Sequence, residues 1–297
     1  MLDTYQVGDV RITRIHEYSG PTHDPKFLLP DMTPEQLESH RSWMAPEHWV
    51  PAMNKLVLTV QLWVVQAGDS IIVVDTGVGN RKPREGMARM HQLNTLVLEW
   101  LEAAGAPADR VTHVAITHLH MDHVGWNTRW QDNRWTPTFP NAKYLLPHDD
   151  YRFCLEGKNK EQPLDVFGAA FDDSVQPLVA EGLVQMIRPG DEIAGCLQVE
   201  DACGHSPGQV AFRVRSRGEQ AVFCGDVFHN PMQIVLPDIN SGYCIWPDKA
   251  RQTRRAMLED LAQSGALLLP VHFGDPYAGY IRREQGGYKF EPVERSR

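Results

Sequence analysis

Six consecutive residues, His118-Leu119-His120-Met121-Asp122-His123, limit the folds open to this chain more than any other feature. They follow an apolar run, Val114-Ala115-Ile116, that reads as a buried strand, and they precede Val124-Gly125-Trp126, where a new element begins. In an extended loop, side chains at i and i+2 point the same way, so His118 and His120 can grip one ion. Asp122 and His123 lie just beyond and can turn toward a second. Imidazoles with a carboxylate suit zinc, iron or manganese better than magnesium or calcium. A His-rich surface loop is the alternative, but so dense a set of ligands directly after a strand is a poor match for surface filler.

A fold that presents such a loop needs a large core. The chain has 297 residues, 42% of them hydrophobic, which is ample for one. Val10 to Ile15, Leu56 to Val65 and Ser70 to Asp75 read as strands, with Ala67-Gly68-Asp69 as a hairpin turn. Asp75 ends a β-branched run before Thr76-Gly77, as either a turn-former or a buried carboxylate at a site. Leu93, Leu96, Val97, Trp100, Leu101 and Ala104 repeat at helical spacing, and Gly105 is placed to end that helix. The strand Thr112 to Thr117 follows. Strand, helix and strand in this order predict an α/β layered architecture.

Further short strands are expected at Lys143 to Leu146, Val184 to Ile187, Leu197 to Ala202, Gln209 to Arg215, Ala221 to Cys224 and Leu267 to Val271. Residues 157 to 177 read as irregular. Lys249 to Gln263 reads as a helix with Met257, Leu258 and Leu261 inward and Arg251, Arg254 and Arg255 on a solvated face. Residues 20 to 54 stand apart. They are rich in proline and carry Trp43, Met44, Trp49 and Met53 without a sustained period. Such a segment is a lid over a site, a subunit contact that would make a homodimer, or a packing excursion. With no linker or internal repeat, residues 1 to 297 read as one domain.

Composition excludes some functions. There are 29 basic and 38 acidic residues, a formal charge of -9, which argues against a nucleic-acid partner. No apolar run approaches the ~18 residues of a membrane span. The first residues lack a basic, then apolar, leader pattern. The five cysteines form no Cys-x-x-Cys pair and read as reduced thiols, so a cytoplasmic protein is expected.

Three more candidate ligands follow predicted strands: His205 in Gly204-His205-Ser206-Pro207-Gly208, Asp226 in Cys224-Gly225-Asp226, and His272 in Val271-His272-Phe273. With the loop they make five histidines and two aspartates at one end of predicted strands, where ligands converge. Seven ligands are too many for one tetrahedral ion and fit two, with Asp226 shared.

This order of motifs resembles the metallo-β-lactamase superfamily. The finer pattern, from Gly204 to Gln209, from Cys224 to His229, and in the tail from Gly279 to Pro292, is similar to the branch of methyl parathion hydrolases and N-acyl-homoserine lactonases. The resemblance implies an αββα sandwich. It implies that His118, His120 and His205 hold one metal, that Asp122, His123 and His272 hold the other, and that Asp226 bridges. Asp75 would orient ligands from behind. Two zinc ions are implied, with manganese or iron as substitutes, and a hydroxide bridging them would attack an uncharged ester, lactone or phosphotriester. Asp122 would orient the nucleophile and carry a proton. Trp126, Phe153, Phe228, His229 and Trp246 are candidate substrate contacts, the aromatic ones alternatively ordinary core. Two rival readings share the fold. One is a mononuclear-iron sulfur dioxygenase, which does without a full second site. The other is a non-catalytic ligand-binding member, which would have lost ligands.

Overall fold

The strands of this chain are apolar on both faces, and that dictates a four-layer packing. Along Lys55–Ala67, Trp63 and Val65 point one way and Leu62 and Val64 the other. Along Glu219–Phe223, Ala221 and Phe223 oppose Val222 in the same manner, as Leu267 and Leu269 oppose Leu268. Alternate side chains of a strand leave opposite faces, so each sheet must be covered twice. The computed structural model, which describes residues 2–162, 166, 167, 169–284 and 286–293, shows how.

One sheet has eight strands, in the order Thr4–Val7, Val10–His23, Lys55–Ala67, Ser70–Val74, His113–Ala115, Lys143–Pro147 and Val184–Ile187, with Trp49–Val50 paired beside Lys55–Ala67. The other has seven: Glu192–Ile193, Leu197–Asp201, Val210–Ser216, Glu219–Phe223, Leu267–Leu269, Gly279–Glu284 and Gly287–Pro292. Between the sheets lies a core in which Trp63, Ile72 and Val74 meet Phe212, Val214 and Phe223. Each large side chain buried there contributes about 1.5–3 kcal/mol. The helices Val97–Ala103, His148–Leu155 and Gln176–Ala180 cover the outer face of the first sheet. The helix Pro247–Ser264 covers that of the second. The expected αββα sandwich is the observed architecture.

Strand direction then gathers the loops. Ser70–Val74 and His113–Ala115 are parallel neighbours, so Asp75 and the His118–His123 loop leave the sheet at the same end. In the second sheet, Leu197–Asp201 and Glu219–Phe223 each pair antiparallel with Val210–Ser216, and Glu219–Phe223 runs parallel to Leu267–Leu269. His205, Asp226 and His272 therefore emerge together. Two hydrogen bonds tie these ends across the sandwich: Val210 N to Thr117 O at 2.9 Å and Thr59 N to His272 O at 3.1 Å.

Several local expectations need correction. The helix read from Leu93 starts only at Val97, and Leu96 and Trp100 are exposed. Arg81 N donates to Leu93 O, and Thr95 N donates to Asn80 Oδ1, so this stretch closes a loop instead of starting a helix. Arg254 is fully buried, where a solvated face was expected. It donates to the carbonyls of Val227, Pro237 and Ile239 and to Asn240 Oδ1. Residues 157–177 include the turns Lys158–Glu161 and Phe171–Val175, while residues 163–165 and 168 of that stretch lie outside the described residues. Residues 25–44 form three short helices, one capped by Thr33 and Gln36 in a reciprocal box. Their apolar side chains, with Met44 and Trp49, pack on Leu56, Leu58, Met232 and Ile239 as a satellite core. Among the described residues, no helix is long and apolar enough to cross a membrane. All five cysteines are free thiols.

Candidate metal centre

Four of the candidate ligands, His123, His272, His205 and Asp226, have a second contact behind them. Asp75 stands at φ 54, so it turns the chain out of its strand and is itself buried. Its Oδ1 accepts from Thr117 N at 2.8 Å, and its Oδ2 lies 2.9 Å from His123 Nδ1. Asp75 thus turns the chain and also sets a buried carboxylate behind His123. A carboxylate at Nδ1 fixes the imidazole tautomer and leaves Nε2 facing the centre. The carbonyl of Thr59 does the same for His272, 2.8 Å from its Nδ1. Cys244 Sγ lies 3.9 Å from His205 Nδ1. The side chain of Gln209 accepts from Asp226 N at 3.1 Å.

In front of these contacts the ligand atoms converge. His118, His120, His205 and Asp226 present one group of atoms, all within 4.8 Å of one another, and Asp122, His123 and His272 present a second. Asp226 faces both. Its Oδ2 is 3.2 Å from His205 Nε2 and 3.7 Å from His118 Nε2, and its Oδ1 is 3.1 Å from His123 Nε2 and 3.0 Å from His272 Nε2. His118 Nε2 and Asp226 Oδ1 are buried and find no well-aligned hydrogen-bond partner among the described residues. Orphaned acceptors of that kind are costly unless something occupies their lone pairs, and a cation at each group would do so. The residues present therefore fit the expected metals.

The electrostatics agree. Burial drives His118 and His120 well below the ordinary histidine range, so both are neutral donors of lone pairs. Burial pulls Asp226 upward, but His272, His123, His229 and His205 around it hold its carboxyl well below the usual range. For His123 burial is outweighed by Asp226, Asp75 and Asp122, which raise it well above its ordinary value. The pocket is thus built to hold positive charge.

Five of the candidate ligands, His120, Asp122, His205, Asp226 and His272, line a cavity of about 30 Å³, whose wall also includes His23, Met87, Met90 and Tyr243. Met87 and Tyr243 also wall a wider outer hollow of about 540 Å³. The inner room holds about two waters. Met87 and Met90 belong to the loop between Asn80 and Thr95, whose neck is closed by the Asn80–Thr95 hydrogen bonds.

Of the candidate substrate contacts, His229 lines the cavity, with Nε2 3.2 Å from Asp226 Oδ2. The others do not line it. Trp126 is buried, and its indole donates to Glu17 at 2.8 Å. Phe228 lies in the core under the second sheet. Phe153 packs near Phe167, and Trp246 is exposed at the start of the long helix. Of residues 20–54, His23 lines the cavity and Thr22 and Phe27 wall the outer hollow. Trp49 belongs to the satellite core.

The sequence reading missed four residues. Asp150 is fully buried and accepts from Leu119 N, Ser206 Oγ and Gly208 N, joining the His118–His123 loop to the His205 loop. Glu17 accepts from Val78 N and Gly79 N behind the site. Tyr243 reaches the cavity, its hydroxyl 2.9 Å from His23 Nε2, and Arg89 stands beside it. Asp150 alone had a usable signal, an acidic residue in the first turn of the helix that follows an apolar strand.

A family model described as the metallo-beta-lactamase superfamily matches residues 57–272. A protein of Bacillus subtilis (strain 168) named probable metallo-hydrolase YybB is 25% identical over 195 residues, 62% of this chain and 72% of that one. A structure titled as hydrolase AbOPH in the beta lactamase superfamily superposes with a TM-score of 0.84 at 25% identity, covering 100% of this chain and 98% of that one. AidC, a dizinc quorum-quenching lactonase in complex with its product, gives 0.80 at 17% identity, with 100% and 98% coverage, a likeness of fold. Family and ligand clusters together imply a divalent metal. On the matched residues and the shared architecture, the chain belongs to the metallo-beta-lactamase superfamily.

Proposed function

We propose that the protein is a dinuclear metal-dependent hydrolase that opens an ester, lactone or phosphotriester bond in a small molecule. The observation that carries this reading is Asp226, whose two oxygens face two complete ligand groups. His118, His120 and His205 would hold one ion and Asp122, His123 and His272 the other, with Asp226 touching both. Zinc fits the donor set, and manganese or iron would serve. Two divalent ions there supply Lewis-acid polarisation of the scissile oxygen and make water acidic enough to attack at neutral pH.

The protein's own groups complete the chemistry. Asp122 is the most open of the ligands, its side chain 14% exposed, and it borders the cavity. It takes the proton released as water attacks and returns it to the leaving oxygen. Burial raises the Tyr243 hydroxyl above its ordinary value, so it keeps its proton. Arg89 Nη2 is an obligatory donor 2.6 Å from His23 Nε2, so that nitrogen accepts and His23 Nδ1 carries the proton. With Arg89 supplying His23, the Tyr243 O–H is free to donate to a substrate oxygen. Met87, Met90, Met121 and Leu58 exclude water and grip the apolar part of the substrate. The complete second ligand group is what separates this reading from a mononuclear oxygenase.

The test is a panel of p-nitrophenyl esters, γ- and δ-lactones, phosphotriesters and a β-lactam, run before and after chelation. Turnover of one class, lost on chelation and regained with zinc or manganese, is expected. Full turnover in verified metal-free protein would overturn the proposal.

A further inference from the structure

Two arginines of the loop between Asn80 and Thr95 are treated differently by the fold. Arg84 donates to both carboxylate oxygens of Asp173, at 2.6 and 3.0 Å, and its charge is neutralised there. Arg89 meets only neutral groups in its described hydrogen bonds: Thr22 O at 3.4 Å, His23 Nε2 at 2.6 Å and the Tyr243 hydroxyl at 3.3 Å. Its Nε is buried and has no hydrogen-bond partner among the described residues. A guanidinium carries five N–H groups in a fixed fork, so N–H donors remain unused. A half-buried, unneutralised cation beside a metal cavity is an unfavourable arrangement for an empty fold and a favourable one for recognition.

The surroundings state what would be recognised. Arg89 walls the outer hollow, and Met87 and Tyr243 join that hollow to the metal cavity. The remaining wall residues are Thr22, Phe27, Gly86 and Ala88, none of them charged. One cation among apolar and hydroxyl groups matches a single negative charge on an alkyl or aryl linker. A dianionic phosphate monoester would bring more charge than the wall can meet.

We infer that Arg89 is a specificity-determining residue for a substrate carrying a carboxylate remote from its scissile bond. The carboxylate seats in the outer hollow on the Nη1 N–H of Arg89 that the Thr22 bond leaves unused. The ester or lactone bond reaches past Met87 and Tyr243 to Asp122 and Asp226. This rests on the hydrolase reading of the site, and it departs from the uncharged substrate that the sequence resemblance implied. Arginine is suited to the task because its guanidinium stays charged at any working pH, so even one N–H makes a charge-assisted hydrogen bond.

The experiment compares two p-nitrophenyl esters of equal acyl length, the glutarate half-ester and the pentanoate, on metal-loaded wild type, R89Q and R89K. Wild type should prefer the glutarate ester by about tenfold to a hundredfold in kcat/KM, the worth of one charge-assisted hydrogen bond, and mainly through KM. R89Q should bring the ratio to about one, and R89K should restore part of it, with the preference shrinking as salt is added. Equal loss on both esters with the ratio kept would make Arg89 a structural support and overturn the inference, as would a wild type with no preference. Calorimetric binding of pentanoate against pentanamide, in wild type and R89Q, is read in parallel. If neither ester is turned over but carboxylate affinity depends on Arg89, the hydrolase reading fails and the Arg89 assignment stands. If esters are turned over and neither ratio nor binding depends on Arg89, the assignment fails alone.

Discussion

Gly125→Ala should dismantle the metal centre without touching a ligand. Gly125 follows the His118–His123 loop and lies against the turn after Asp75. A Cβ at Gly125 would lie 1.9 Å from Val78 O, 2.0 Å from Val78 C and 2.6 Å from Gly79 N. Carbon contacts need about 3.5 Å, so the two backbones must part by roughly 1.5 Å. Neither side has a flexible tip that could yield, because all three atoms are main chain. The two segments are also zipped together: Gly125 N donates to Gly77 O at 2.7 Å, Trp126 N to Thr76 O at 2.8 Å, and Thr76 N to His123 O at 2.7 Å. The displacement therefore passes directly to His123. Overpacking of this kind costs about 1–3 kcal/mol, and a misplacement near 1 Å costs about a hundredfold in rate. Gly68→Ala is the control. It sits at φ +55 in the hairpin turn with nothing within 4 Å of a new Cβ, so it pays only backbone strain of about 1–2 kcal/mol. Urea unfolding, metal content and kcat/KM are measured on both variants. Gly125→Ala should lose metal and activity while Gly68→Ala keeps both. If the two variants are equally active, the close approach at Gly125 does not hold the site, and the reasoning is refuted.

Asp226→Ala should lose bound metal and nearly all turnover, whereas Asp75→Ala, which removes support behind His123, should cost about 10–100-fold; metal analysis of the two purified variants checks the order. Tyr243→Phe should lower kcat more than KM with metal content unchanged, and a KM effect alone would remove the hydroxyl from the chemistry. His48 is buried edge-on to Phe273, and burial lowers its pKa from 6.5 to about 4. The unfolded chain accepts that proton first, so stability is lost as pH falls from ~6.5 to ~4, by about 3 kcal/mol at most. Urea unfolding across that window should show a shallower decline in His48→Phe, and identical slopes would contradict it.

The parts of the site that could be read in the sequence are those attached to strands. A β-branched run such as Ile71–Val74 announces a strand, and a His or Asp just past its end inherits a known direction. Parallel neighbours then bring such residues to one edge. Tyr243, Arg89 and Glu17 gave no such signal. Two of them stand in loops and Glu17 on a long outer strand, and only tertiary packing brings them to the site. Arg254 was legible in principle. It lies four residues after Ala250 and four before Leu258, on the apolar face of its helix, so its charge had to be met by buried carbonyls. In the Trp49 segment aromatic residues without a period look unpartnered in sequence, and in the fold Trp49 and its neighbours fill a satellite core of their own. Leu93 to Thr95 kept a helical period that local hydrogen bonding to Asn80 and Arg81 overrode.

Whether two ions act together is decided by a zinc titration. Metal-free protein is titrated with zinc while bound metal per chain and hydrolysis of the best substrate from the panel are followed together. Two ions should bind per chain, with activity appearing as the second group fills, and Asp226→Ala should bind neither tightly. Full activity at one ion per chain would contradict the dinuclear reading.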